Sequence, residues 1–214
     1  MTRTLLILPA VLFSAQTLAN GGLFLVDDAA ITDEGRCSLD AWWTRQEGAG
    51  AGTVIPMCTR SGFEWGLPLT FASGSITAYG LEAKTLLAAP TTDSALAFST
   101  GLMLARDGHR LEEVFINLPF SQQWLPWLEL HVNLGALYQY QERDLALSWG
   151  AAVTAALWPE LAVILESAGI GREDPTLAAG LRWQPMEQWE LDLSFGRELE
   201  SSSNYLAVGF NLAF

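Results

Sequence analysis

Apolar and polar residues alternate with period two along most of this chain, and no other feature constrains the fold as strongly. Leu128, Leu130, Val132, Leu134, Ala136 and Tyr138 share one face of a run. The other face of that run carries Glu129, His131, Asn133 and Gly135. The same arrangement recurs at 147–157, 189–196 and 205–214. Period two is the strand period, with successive side chains on opposite faces. Composition then decides where the fatty face goes. The 214 residues are 50% hydrophobic and only 16% charged, against about 25% charged in an ordinary soluble domain. A soluble β-sandwich shares the alternation, but its outward faces would carry more charge than these do. Beyond the N-terminus no window approaches the roughly 20 apolar residues of a membrane helix. A closed membrane-spanning β-barrel satisfies both conditions, since its backbone is paired between strands and its apolar residues sit at alternate positions. The expected fold is therefore all-β, an antiparallel up-and-down barrel in the membrane.

Residues 1–19 read as a secretory signal peptide, with Arg3, a short apolar core and the small-residue ending Thr17-Leu18-Ala19. Export makes a disulfide between the two cysteines expected, because disulfides persist in oxidising compartments. Cys37 and Cys58 flank the run Glu47-Gly48-Ala49-Gly50-Ala51-Gly52, a turn signal. In one antiparallel register Trp43 opposes Gly52 and Cys37 opposes Cys58, close enough to bond at a non-hydrogen-bonded pair. Neither cysteine has a partner at zinc-ligand spacing, and no cofactor or metal is expected.

Turn signals divide the mature chain into strands near 36–45, 52–60, 62–71, 74–87, 95–105, 112–120, 126–140, 145–158, 160–169, 175–184, 188–198 and 204–214. Twelve is the expected count and ten the alternative, an even number being the rule for bacterial barrels. The domain layout is a leader over 1–19, a periplasmic segment over 20–35 able to plug the lumen, and the barrel over 36–214. One set of turns is tight and rich in Pro and Trp: 121–126, 158–160 and 184–188. The other set is polar: 106–113, 141–144, 171–175 and 198–204. Short turns face the periplasm in such barrels, which puts both termini there. Trp124, Trp127, Trp158, Trp183 and Trp189 would form one interfacial girdle. Tyr138, Tyr140, Trp149 and Tyr205 would form the other.

The run Ala207-Val208-Gly209-Phe210-Asn211-Leu212-Ala213-Phe214 resembles the closing-strand signal of Gram-negative outer-membrane β-barrels. Gly209, Phe210, Leu212 and Phe214 match its pattern. The resemblance implies an outer-membrane location, a lipid surround and recognition by the barrel-assembly machinery. The opening residues Phe24-Leu25-Val26-Asp27-Asp28-Ala29-Ala30, followed by Gly35-Arg36-Cys37-Ser38-Leu39-Asp40, resemble the start of outer-membrane transporters associated with phenol meta-cleavage pathways. That resemblance implies small-molecule transport.

If the fatty faces meet lipid, the opposite faces line a lumen. Those positions include Asp40, Glu64, Glu82, Lys84, Glu113, Glu129, His131, Glu166, Arg182, Glu190 and Asp192. Carboxylates dominate them, in keeping with Asp+Glu 24 against Lys+Arg 11 in the whole chain. A negative lining admits cations and opposes anions, and the same balance speaks against a nucleic-acid partner. The expected function is porin-like passive passage or binding of small cationic or neutral solutes through a narrow acidic lumen. Alternatively these charges pair across a filled interior, Lys84 with Glu82 and Arg182 with Glu190. The barrel would then be a structural or partner-binding scaffold, engaging a periplasmic or outer-membrane protein. Asp27, Asp28, Asp33 and Glu34 read as a solvated acidic run rather than a cation site. An outer-membrane lipid hydrolase would need a serine beside a histidine. His109 falls in a charged loop, and His131 has Glu129 on its face and Thr154 as its expected cross-strand neighbour. No serine is placed beside His131, so an enzyme is not expected.

Overall fold

Strands β1 (Cys37–Gln46), β2 (Ala49–Arg60), β3 (Phe63–Gly66), β4 (Leu69–Ala72), β5 (Ser75–Thr91), β6 (Ser94–Ala105) and β7 (Leu111–Leu125) form the first half of a single sheet. It continues through β8 (Leu128–Gln139), β9 (Asp144–Trp158), β10 (Leu161–Ile170), β11 (Thr176–Met186), β12 (Trp189–Glu198) and β13 (Asn204–Ala213). This computed structural model describes residues 23–171, 174–199 and 202–214. The expected leader and residues 20–22 lie outside the described residues. A single 3-10 turn at Asp107–His109 is the one helical element among the described residues.

All pairings are antiparallel, and β1 pairs with both β2 and β13, so the sheet closes on itself. β3 and β4 make one stave between them. Met57 opposes Gly66 and Val54 opposes Leu69 in one unbroken register along β2. The ladder thins at Leu67-Pro68: Leu67 N–H donates to the Pro56 carbonyl and Gly80 N–H to the Pro68 carbonyl, but neither proline has an N–H to return. The barrel therefore has twelve staves.

The β1–β2 hairpin has the expected register, Cys37 opposite Cys58 and Trp43 opposite Gly52. Cys37 N–H donates to Phe214 and its carbonyl accepts from Phe214 N–H. Its backbone thus points away from β2, and Cys37–Cys58 is a non-hydrogen-bonded pair with Cα atoms 4.0 Å apart, joined by a disulfide. Replacing both cysteines by serine should lower unfolding free energy by about 2–4 kcal/mol for a closed loop of this size. The urea midpoint in detergent micelles measures it, and an unchanged midpoint would refute it.

The turn itself is shorter than expected. Glu47 and Gly48 close it alone, at φ 50° and 87°, the left-handed pair of a two-residue hairpin. The remaining glycines serve packing: a Cβ on Gly50 would stand 2.7 Å from the Trp43 indole. β7 also runs further than expected, through Ser121 to Leu125, and the turn shrinks to Pro126-Trp127.

Burial is inverted relative to a soluble domain. Along β12 the buried residues are Glu190, Asp192 and Ser194, while Leu191, Leu193 and Phe195 are exposed. Large apolar side chains are exposed on most staves, among them Leu81, Leu118, Leu134, Leu165, Leu181 and Val208. Trp124, Trp127, Trp158 and Trp183 stand exposed near the end where Cys37 meets Phe214, here called the proximal end. Tyr140 and Trp149 are exposed towards the distal end. Tyr205 is a correction: it is buried inside, its ring lying over Gly196. Its place in the alternation puts it on the inward face, and that overrides its nearness to the rim.

Candidate functional site

The inward faces of the staves enclose a second layer made by the chain itself. Leu23, Phe24, Val26 and Ala29 are buried although they belong to no strand. From Cys37 the chain runs backwards along the proximal mouth, where Gly35 N–H donates to the Thr59 carbonyl. Glu34 accepts from the backbone N–H groups of Ser61 (2.9 Å) and Gly62 (3.0 Å). Those two donors hold its carboxyl below the usual carboxylate range. Thr32 N–H then donates to Glu64 Oε2 (2.8 Å) and Ala29 N–H to Ser121 Oγ (2.9 Å). Asp27 exchanges two bonds with Asn133, its N–H donating at 2.8 Å and its carbonyl accepting at 2.7 Å. Val26 N–H donates to Glu166 Oε1 (2.9 Å). A segment without internal ladder bonds must find partners for its buried N–H groups elsewhere, and here inward side chains supply them.

Glycines in the wall make room for this segment. Val26 packs on Gly150, Leu23 on Gly209, and the Phe24 ring occupies the space a Cβ on Gly180 would take. Phe24 also lies 5.1 Å from the Arg182 guanidinium, a cation–π distance.

Two cationic clusters organise the interior charge. Lys84 Nζ binds Asp27 Oδ1 at 2.8 Å, with Asp28 Oδ1 at 3.6 Å. Lys84 thus pairs with the segment rather than with Glu82, because Glu82 lies two positions along the same strand while Asp27 crosses directly above. Arg182 makes a two-pronged bond to Asp192, both contacts 3.0 Å, and meets Glu190 at 3.2 Å. Asn211 Nδ2 donates to Asp192 at 3.0 Å. Arg182 and Asp192 are direct cross-strand partners on β11 and β12, so this pairing follows from register.

Asp40, Glu64, Lys84, His131, Glu166, Glu190 and Asp192 are all buried inside. Glu82 and Glu113 line a cavity on the distal side of the segment, and Glu129 lines one on the proximal side. Around His131 the structure adds a residue that sequence reasoning missed. Ser121 opposes His131 across β7 and β8 and lies 2.8 Å from Nδ1, with Thr154 Oγ1 3.3 Å from Nε2 and Glu129 3.8 Å away. Ser121 Oγ accepts from Ala29 N–H and is also hydrogen-bonded to His131 Nδ1. The polar run Ser121-Gln122-Gln123 looks like a turn, which concealed this neighbour. These groups form a ladder that anchors Ala29.

The segment leaves a cavity on each side of itself. The proximal one, about 560 Å³, is lined by Asp28, Ile31, Thr59, Ser121 and Glu129. The distal one, about 380 Å³, is lined by Asp27, Asp40, Trp42, Glu64, Glu82 and Glu113.

Among solved structures the chain is similar to the KdgM porin, with TM-score 0.70 and 12% identity over 83% of this chain and 99% of that one. It is similar also to the NanC porin, with TM-score 0.61 and 8% identity over 82% and 98%. The COG4313 outer membrane channel from Pseudomonas putida F1 gives TM-score 0.62 and 11% identity over 87% and 98%. At such identities the likeness is one of fold. No curated protein matches the chain. The model of the family described as uncharacterised conserved protein UCP029691 matches residues 8–214, and the chain belongs to that family.

Proposed function

We propose that this chain is a passive outer-membrane channel for small cationic or neutral solutes, with the proximal end towards the periplasm and segment 23–36 lying as a plug across its lumen. The observation that carries this reading is the sign of the interior. Carboxylates line both cavities, while Lys84 and Arg182, the two interior cations among the described residues, are each committed to carboxylates of their own. Water-filled constrictions with such a lining favour cations. A KdgM porin structure holds disordered oligogalacturonate; a polyuronate carries carboxylates itself, and this interior would repel it. The N-terminal resemblance, over residues 24–30, keeps small organic solutes within the reading.

Planar-bilayer recordings in a potassium chloride gradient test it. The protein lacking residues 20–33 should show discrete openings whose reversal potential has the cation sign. Glu113→Gln, at the distal rim, should move that potential towards zero. Anion preference would overturn the proposal. The hydrogen bonds that fasten the plug support a second reading, a filled scaffold, and persistent silence of the truncated protein would select it.

A further inference from the structure

The distal cavity sets carboxylates beside aromatic and apolar side chains. Asp40 on β1, Glu64 on β3 and Glu82 on β5 all face it. Asp40 is 1% exposed, and its Oδ1 meets no hydrogen-bond donor among the described residues. A buried carboxylate oxygen without a donor is costly unless something completes it. Lys84, the cation nearest these groups along the strands, is bound to Asp27 and Asp28. No group of carboxylates among the described residues is close enough to hold a metal ion. Beside polar groups such as Lys84, Ser99 and Asn117, the wall presents an apolar and aromatic part made of Phe24, Trp42, Ile55, Met57 and Phe115. Its volume, about 380 Å³, lies within the range of small-molecule sites, roughly 300–1,000 Å³.

We propose that this cavity binds an organic ammonium ion with an apolar body, the charge set beside Asp40, Glu64 and Glu82 and the body against Trp42, Met57 and Phe115. Charge and rings then act together, since an ammonium group is attracted by carboxylates and by the face of an indole alike. The inference rests on the channel reading for its biological sense, because it names the class of solute carried, but the site itself needs no open pore.

Isothermal titration of the folded, full-length mature protein in detergent tests it, with benzyltrimethylammonium as the probe and benzyl alcohol and benzoate as comparators. Saturable binding of the cation alone is expected, weakened at least tenfold in Asp40→Asn. Glu82→Gln, expected to weaken it several-fold, serves if the first variant does not fold. Equal binding of benzyl alcohol, or undiminished binding by the folded variants, would overturn the site. Saturable binding by a protein that stays silent in bilayers supports the site and removes only the channel. Cation-selective openings without binding keep the channel and overturn the site.

Discussion

Lys84→Met should open the barrel. In the wild-type protein Lys84 is the cation that holds Asp27 and Asp28 inside a lumen already crowded with Glu64 and Glu82. Without it, two carboxylates of the plug face two of the wall with no compensating charge. Removing one partner of a buried ion pair costs about 3–5 kcal/mol, and each 1.4 kcal/mol is a factor of ten in an equilibrium. The bonds from Asn133, Ser121 and Glu166 remain, so the plug loses one anchor of several. The expected result is a rise in open probability of at least tenfold in planar bilayers, approaching that of the protein lacking residues 20–33. Lys84→Arg keeps the charge and should stay closed. If Lys84→Met conducts no more than wild type while the truncated protein opens, the lysine is not the latch.

The second large effect lies on the opposite wall. Arg182→Met leaves Glu190 and Asp192, both 2% exposed, without the guanidinium that neutralises them. It also removes the cation under the Phe24 ring. Destabilisation of about 3–5 kcal/mol is expected, read as a lowered urea midpoint in micelles. Arg182→Lys restores the charge but not the two-pronged geometry to Asp192, and should recover only part of that loss. A midpoint for Arg182→Met equal to that of wild type would mean that the carboxylates are already neutral or rehydrated, and the electrostatic account of this wall would fail.

The two cases differ in how far the sequence foretells them. Arg182, Glu190 and Asp192 lie on inward faces of consecutive strands joined by a tight turn; the sequence predicts Glu190 as the partner, and a bulge between Trp183 and Met186 makes Asp192 the direct cross-strand one. The Cys37–Cys58 pair is legible from hairpin register alone. Lys84 and Asp27 are 57 positions apart and share no hairpin, and segment 23–36 has no period to reveal what it packs on. His131 and Ser121 fall between these extremes. They are hairpin partners, but a polar run before Pro126 conceals that β7 continues through Ser121. At Leu67-Pro68 the sequence predicts one strand and the structure shows one stave with a thinned ladder, because register survives the loss of the proline donors.

The sequence by itself determined which side of each strand is fatty and which cysteines meet, and narrowed the staves to twelve or ten, since these depend on period-two alternation and on neighbours joined by short turns. Only the tertiary structure decided what fills the lumen. Closure of the sheet brings β1 against β13, and the plug then crosses from Thr59 on β2 to Gly209 on β13. The contacts along that path depend on the diameter and curvature of the closed wall, which no local pattern encodes.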